Sequence, residues 1–163
     1  MQQKTIDFSG DNTCDLVEKA IAKAGDGHRS NLFREIEATL GLVPEFMKLM
    51  PGTHLQGEWH IFKDFQLSDQ TSLTPKVKEL IGLAVASAIH CKYCSYFHTV
   101  GAGLNGATPD ELNEALLMAK QTTGWSSYLH GARYDLDALK REVNTMKRHV
   151  EANQTQTRVA KRA

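Results

Sequence analysis

The chain has 163 residues, 41% of them hydrophobic, and its 19 basic and 19 acidic side chains balance. That length suffices for one domain with a hydrophobic core, and the neutral balance argues against the strong field that nucleic-acid or anionic-membrane binding uses. No apolar run is long enough to span a bilayer, and the first ten residues lack the apolar centre of a signal peptide. Three cysteines cannot all pair within the chain, which argues against a secreted protein held together by disulfides. We therefore expect a cytoplasmic protein that binds neither nucleic acid nor membrane.

The hydrophobic pattern predicts α-helices, because no stretch shows the sustained alternation of a half-buried strand. In the first half, glycine and proline signals separate four predicted helices, namely Asp15–Ala24, Ser30–Leu40, Glu45–Met50 and His54–Phe65. Ser30 is the expected cap of the second helix, and the polar stretch 68–72 is an expected loop.

Two Thr-Pro pairs mark the clearest helix starts in the second half. At Thr74-Pro75 and at Thr108-Pro109, threonine can cap a helix while proline takes its first position. Apolar spacing predicts a last helix from Tyr128 to His149, followed by a polar, basic tail that is expected to fray. We predict one all-α domain over residues 1–150 and a flexible tail over residues 151–163.

One motif carries the chemistry: Cys91-Lys92-Tyr93-Cys94 is followed by His98 and preceded by Glu79. Two thiols three residues apart in a helix can form a disulfide with each other, and His98 lies within one helical turn of Cys94. A nucleophile, a resolving thiol and a base come together in this way, and a buried carboxylate could orient the base. The pattern indicates thiol redox chemistry in which the cysteines themselves turn over.

A break in the helix is needed for Glu79 to reach the motif. Residues 91, 94 and 98 share one helix face, whereas twelve residues of straight helix rotate Glu79 by about 120° away from it. We expect the break near Ile89-His90, with a new helix starting at Cys91. Unpaired N–H groups at that helix N-terminus stabilise a thiolate and lower the pKa of the thiol.

The spacing of Glu79, eleven residues, then Cys91-x-x-Cys94-x-x-x-His98 resembles the signature of the alkylhydroperoxidase D-like, carboxymuconolactone decarboxylase superfamily. The flanking runs 73–81 and 106–112 are similar too, so the specific resemblance covers about residues 73–119. It implies an all-α helical bundle that assembles as a homotrimer or homohexamer. It also implies that the two cysteines reduce a hydroperoxide substrate and that a dithiol, such as a lipoyl-bearing protein, reduces them again.

Carried over residue by residue, the resemblance implies that Cys94 is the peroxidatic thiol and Cys91 the resolving thiol. It implies that His98 is the base and that Glu79 completes a proton relay. Tyr93 is a departure, because the well-known peroxidase has histidine there and tyrosine cannot act as a base near neutral pH. The expected activity is a peroxiredoxin-type peroxidase with no metal, flavin or nucleotide cofactor, since the chain has no GxGxxG or phosphate-binding motif.

Other interpretations of the motif stay open. The cysteines and His98 offer zinc at most three soft ligands, and no second ligand pair has finger-like spacing. Free cysteines are also often inert core residues. The main alternative function is non-enzymatic: a redox-sensing or assembly protein whose disulfide switches state without fast turnover.

Two further features lie outside the motif. Cys14 has no partner thiol and is expected to be structural, whereas His130 could line the site from another helix. The runs Leu80–Val85 and Leu112–Met118 carry apolar residues on more than one helix face. Because such helices must be covered on both sides, we predict a homo-oligomer with the site near a subunit boundary.

Overall fold

The structure, a computed structural model, describes residues 27–160, and this part of the chain is all α-helical without a strand. Its seven helices are α1 (Gly27–Leu40), α2 (Glu45–Lys48), α3 (Gly52–Ile61), α4 (Pro75–Ala88), α5 (Lys92–Leu104), α6 (Pro109–Gly131) and α7 (Leu136–Ala160). A π-helical turn, Phe62–Gln66, follows α3 directly. The predicted all-α class is confirmed. Cys14 and the predicted helix Asp15–Ala24 lie outside the described residues.

The described residues divide into two compact units at the boundary between Lys78 and Glu79, which falls within the sequence of α4. The single domain over residues 1–150 stays a prediction. In the described range no helix is long and apolar enough to cross a membrane.

The core of the first unit is built from helix positions four residues apart. Ile36 on α1, and Leu55 and Trp59 on α3, are almost fully buried. Apolar residues four positions apart, such as Leu55 and Trp59, lie on the same face of their helix and both point into the core. Leu32 and Met47 complete this cluster. Phe62, on the π-helical turn, packs against Trp59 with ring centroids 5.9 Å apart.

Lys78, in the first turn of α4, holds the preceding loop against the helix. Its buried ammonium donates hydrogen bonds to the Ser68 carbonyl at 2.6 Å, to the Thr71 hydroxyl at 2.8 Å and to the Phe65 carbonyl. Three acceptors satisfy all three donors of an ammonium group, which makes its burial tolerable. This anchor fixes the entry of the chain into α4.

The ion pair between Lys63 and Glu35 makes the stability of the first unit depend on pH. The Lys63 ammonium lies 2.6 Å from a Glu35 carboxylate oxygen, and its hydrogen bond is the main cause that lowers the pKa of Glu35 below its ordinary value. The indole N–H of buried Trp59 is the second cause, although it makes no hydrogen bond of ordinary geometry. Because the pKa is lower in the folded state, the stabilisation is present above the unfolded pKa and is lost as pH falls through the folded pKa.

We expect Glu35→Gln to lower the urea midpoint of unfolding at pH 7. The difference in midpoint between variant and wild type should disappear below about pH 4, where the free carboxyl of glutamate titrates. Both groups are partly exposed, so the shift should be small and should shrink in high salt. Glu37→Gln, on the same exposed stretch of α1, is the matched control. A difference that stays constant between pH 3 and pH 7 would contradict this account.

The predicted helix starts at the Thr-Pro pairs are confirmed. The Thr108 hydroxyl accepts a hydrogen bond from the Glu111 N–H at 3.2 Å, and the Glu111 carboxylate accepts one from the Thr108 N–H at 2.7 Å. This reciprocal capping box satisfies two otherwise unpaired donors at the start of α6. At α4 the Thr74 hydroxyl accepts from the Val77 N–H at 3.3 Å.

Two predicted boundaries are wrong. Helix α1 begins at Gly27, so Ser30 lies inside it and does not cap it.

The predicted helix Tyr128–His149 is divided, because α6 continues to Gly131 and α7 begins at Leu136. Between them Arg133 adopts a left-handed backbone with φ of 49°, and the Asp135 carboxylate accepts a hydrogen bond from the Ala138 N–H at 2.7 Å. The backbone of α7 then remains helical through Ala160, past the predicted start of the tail, whose flexibility stays a prediction.

Candidate thiol redox site

A sharp break between α4 and α5 positions the two cysteines. Helix α4 ends at Ala88, His90 adopts a left-handed backbone with φ of 60°, and the Cys91 N–H donates to the Ala86 carbonyl at 2.9 Å. Cys91 is extended and caps α5, since its sulfur accepts a hydrogen bond from the Cys94 N–H at 3.2 Å. The predicted break near Ile89-His90 and the new helix after it are confirmed.

Cys91 and Cys94 are joined by a disulfide, with their Cα atoms 5.4 Å apart. Both residues are half-buried, so the bond is accessible to a small reactant. Cys94 lies in the first turn of α5, where unpaired N–H groups and the positive end of the helix dipole stabilise negative charge.

Glu79 and His98 form the second part of the site. The Nδ1 of His98 on α5 lies 2.7 Å from a carboxylate oxygen of Glu79 on α4. The Glu79 side chain is 3% exposed and that of His98 is 20% exposed. An ionised carboxylate only accepts hydrogen bonds, so Nδ1 carries the hydrogen of this contact, and the lone pair of the corresponding imidazole tautomer lies on Nε2. Nε2 is therefore the nitrogen that can take up a proton.

The two pairs are linked along α5. Cys94 and His98 stand four residues apart on this helix, so their Cβ atoms are neighbours at about 5–6 Å. The order along the site is Cys91, Cys94, His98 and Glu79, which runs from disulfide to imidazole to buried carboxylate. The break at His90 allows this order, because without it Glu79 would face away from the cysteines.

Other predicted residues lie at the edge of this arrangement or away from it. Tyr93 is 76% exposed, and the Lys92 ammonium lies 5.1 Å from the centre of its ring. The Phe97 ring meets the His98 imidazole edge to face, with centroids 5.4 Å apart. His130 is exposed near the end of α6, and no contact found among the described residues joins it to the site. Over the same residues, no group of three or more His, Cys, Asp and Glu side chains is arranged to hold a metal ion.

Two glycines next to the Glu79–His98 pair were missed by the sequence analysis. A Cβ added to Gly82 would lie 2.7 Å from Nε2 of His98, and one added to Gly101 would lie 2.6 Å from a carboxylate oxygen of Glu79. Both glycines lie inside predicted helices, where glycine lowers helix stability by about 1 kcal/mol relative to alanine. This unfavourable choice of residue was the sequence signal that could have pointed to them.

Comparison with known proteins finds a family match that spans the site. Residues 58–135, which contain all four predicted site residues, match the carboxymuconolactone decarboxylase family. The predicted resemblance to this superfamily is confirmed.

The fold around the family region resembles a solved structure, the alkylhydroperoxidase AhpD core from Rhodospirillum rubrum. The superposition has a TM-score of 0.60 and covers 78% of this chain and 91% of that chain, at 23% sequence identity. This likeness confirms the predicted alkylhydroperoxidase D-like fold.

A curated relative is uncharacterized protein 4 in the cox locus of Paracoccus denitrificans. It is 34% identical over 59 residues, which are 36% of this chain. The matched part spans about half of that relative, 53% of its length.

Proposed function

We propose that this protein is a thiol-dependent peroxidase that reduces hydroperoxides with the Cys91–Cys94 pair. The observation that carries the proposal is the disulfide at the start of α5, one helical turn from the hydrogen-bonded His98–Glu79 pair. The match of residues 58–135 to the family and the AhpD-like fold support it. The chemistry uses only groups present in the chain, together with a hydroperoxide and an external dithiol.

The first step consumes the peroxide. His98 takes the proton of the Cys94 thiol, and the thiolate attacks the terminal oxygen of the hydroperoxide. An S–O bond forms, the O–O bond breaks, and the departing alkoxide takes a proton from His98 to leave as an alcohol. Cys94 is then a sulfenic acid. Glu79 holds the imidazole by its Nδ1–H and stabilises the imidazolium between the two proton transfers.

The second step restores the disulfide that the structure contains. The Cys91 sulfur attacks the Cys94 sulfur, the S–S bond forms, the S–O bond breaks, and hydroxide leaves as water with the Cys91 proton. A dithiol then supplies two electrons and two protons by thiol–disulfide exchange and closes into its own disulfide. We propose a lipoyl-type dithiol, free or on a carrier protein, because a dithiol resolves its own mixed disulfide.

The proposal is tested by peroxide consumption under several reductants. We expect many turnovers of tert-butyl hydroperoxide with dihydrolipoamide, and slower turnover with the monothiol glutathione, which cannot close a ring. If every dithiol fails to sustain more than one turnover while the disulfide still forms, the protein is a redox switch and the peroxidase proposal is wrong.

We also propose that the protein is a homo-oligomer, because large apolar side chains of its second unit lie at the surface of the single chain. Ile81, Val85 and Ile89 follow one another at four-residue steps on α4 and its end, and they are 48%, 53% and 64% exposed. A stripe of this kind rarely faces water in a monomer. Light scattering after size-exclusion chromatography should give three or six times the 18.1 kDa of one chain, and Val85→Glu should reduce it. A wild-type monomer at micromolar concentration would contradict this.

A further inference from the structure

The two helices that carry the His98–Glu79 pair also carry a glycine each, placed in the same way. Gly82 follows Glu79 by three residues on α4, and Gly101 follows His98 by three residues on α5. Residues three apart lie on one helix face, so each glycine stands beside the functional residue of its own helix. The arrangement is therefore reciprocal between the two helices.

Each glycine receives the side chain of the opposite helix. A Cβ at Gly82 would lie 2.5 Å from Nδ1 and 2.7 Å from Nε2 of His98, so the imidazole rests directly on the backbone of α4. A Cβ at Gly101 would lie 2.6 Å from an oxygen of Glu79 and 2.9 Å from its carboxyl carbon, so the carboxylate rests on the backbone of α5. Real Cβ atoms do not approach other atoms this closely.

Three other helical glycines in the described part of the chain have no such neighbours. Cβ atoms added at Gly57, Gly103 and Gly124 would meet nothing within 4 Å. Glycine destabilises a helix relative to alanine, so its presence inside a helix needs a reason. At Gly82 and Gly101 the reason is the close approach of a side chain from the opposite helix. Neither of these two glycines has a positive φ, so space and not backbone conformation sets the requirement.

We infer that Gly82 and Gly101 are positioning residues that keep His98 and Glu79 in hydrogen-bonding register. Their missing side chains let the imidazole and the carboxylate lie between two close helix backbones, and this fixes the plane of the ring. An added methyl group at Gly82 displaces the ring from Glu79 without altering any acid, base or thiol. The effect on catalysis rests on the proposed function, whereas the effect on the hydrogen bond does not.

The first test follows the His98 hydrogen bond and the thiol together. In the wild type, NMR of ¹⁵N-labelled protein should show a downfield Nδ1–H signal that is absent from His98→Gln. Gly82→Ala should lose this signal while remaining folded, and reduced Gly82→Ala should alkylate at Cys94 about tenfold more slowly at pH 7, with a changed pH profile. Gly103→Ala, at an open glycine of α5, the helix that carries His98, should keep both properties.

A double-mutant cycle covers the case in which Gly82→Ala is too unstable to study. His98→Ala removes the ring that the new methyl group would meet, so adding Gly82→Ala to that background should leave the urea midpoint unchanged or raise it. In the wild-type background the same change should lower the midpoint. Equal effects in both backgrounds, or an unchanged Nδ1–H signal in Gly82→Ala, would overturn the inference. Absence of peroxidase activity in the wild type would instead overturn the proposed function and leave these two readouts intact.

Discussion

Cys94→Ser should abolish hydroperoxide reduction, whereas Cys91→Ser should stop after one attack with a sulfenic acid on Cys94. The reason is that only Cys94 lies inside the first turn of α5 and one turn from His98, while Cys91 caps the helix. Without Cys91 no thiol in the pair can displace water from the sulfenic acid. Peroxide treatment, trapping with a dimedone-type reagent and mass spectrometry should find the adduct at Cys94 in Cys91→Ser.

Cys14→Ser is the matched control, since it removes the remaining cysteine of the chain and leaves the pair intact. It should retain wild-type turnover. Trapping at Cys91 in Cys94→Ser, with none at Cys94 in Cys91→Ser, would reverse the two roles.

His98→Gln and Glu79→Gln should remain folded but lose about 100-fold in the rate of peroxide reduction near neutral pH, the lower range of a general base contribution. Glutamine keeps the size of both side chains, so little packing is lost. His98→Gln removes the atom that takes the Cys94 proton. Glu79→Gln removes the charge that fixes the tautomer of the ring and stabilises the imidazolium.

The measurement is the rate of Cys94 alkylation and of peroxide reduction from pH 5 to pH 9, beside circular dichroism for folding. Raising the pH should partly rescue His98→Gln, because hydroxide can then remove the thiol proton. His60→Gln, an exposed histidine of α3, should match the wild type. Wild-type rates in both site variants would show that the pair has no part in thiol reactivity.

The main features of the fold and the site follow from sequence patterns of short range. The Thr-Pro pairs fix the starts of α4 and α6, because capping and proline at the first position are local effects. The mismatch between the helix faces of Glu79 and Cys91 predicted the break, since geometry over twelve residues of helix leaves few alternatives. The roles of the four residues in catalysis stay predictions.

Features that depend on neighbours from another element were not predicted. The division between α6 and α7 could not be predicted from the hydrophobic pattern, because Leu129, Ala132 and Leu136 keep a helical spacing across it. Its local signal was Asp135, which caps α7. The need for glycine at Gly82 and Gly101 arises from side chains of the opposite helix, and the burial of Lys78 arises from acceptors in the loop before it. A single sequence shows such residues without their partners.

The central claim is that one hydroperoxide converts one reduced Cys91–Cys94 pair into one disulfide and that a dithiol reverses this. The most direct measurement is a titration of fully reduced protein with tert-butyl hydroperoxide, followed by disulfide mapping, alcohol quantification and re-reduction with dihydrolipoamide. We predict one alcohol and one Cys91–Cys94 disulfide per chain per equivalent of peroxide, over repeated cycles. Peroxide that is not consumed by the reduced pair, or a disulfide that forms without an equivalent amount of alcohol, would contradict the account.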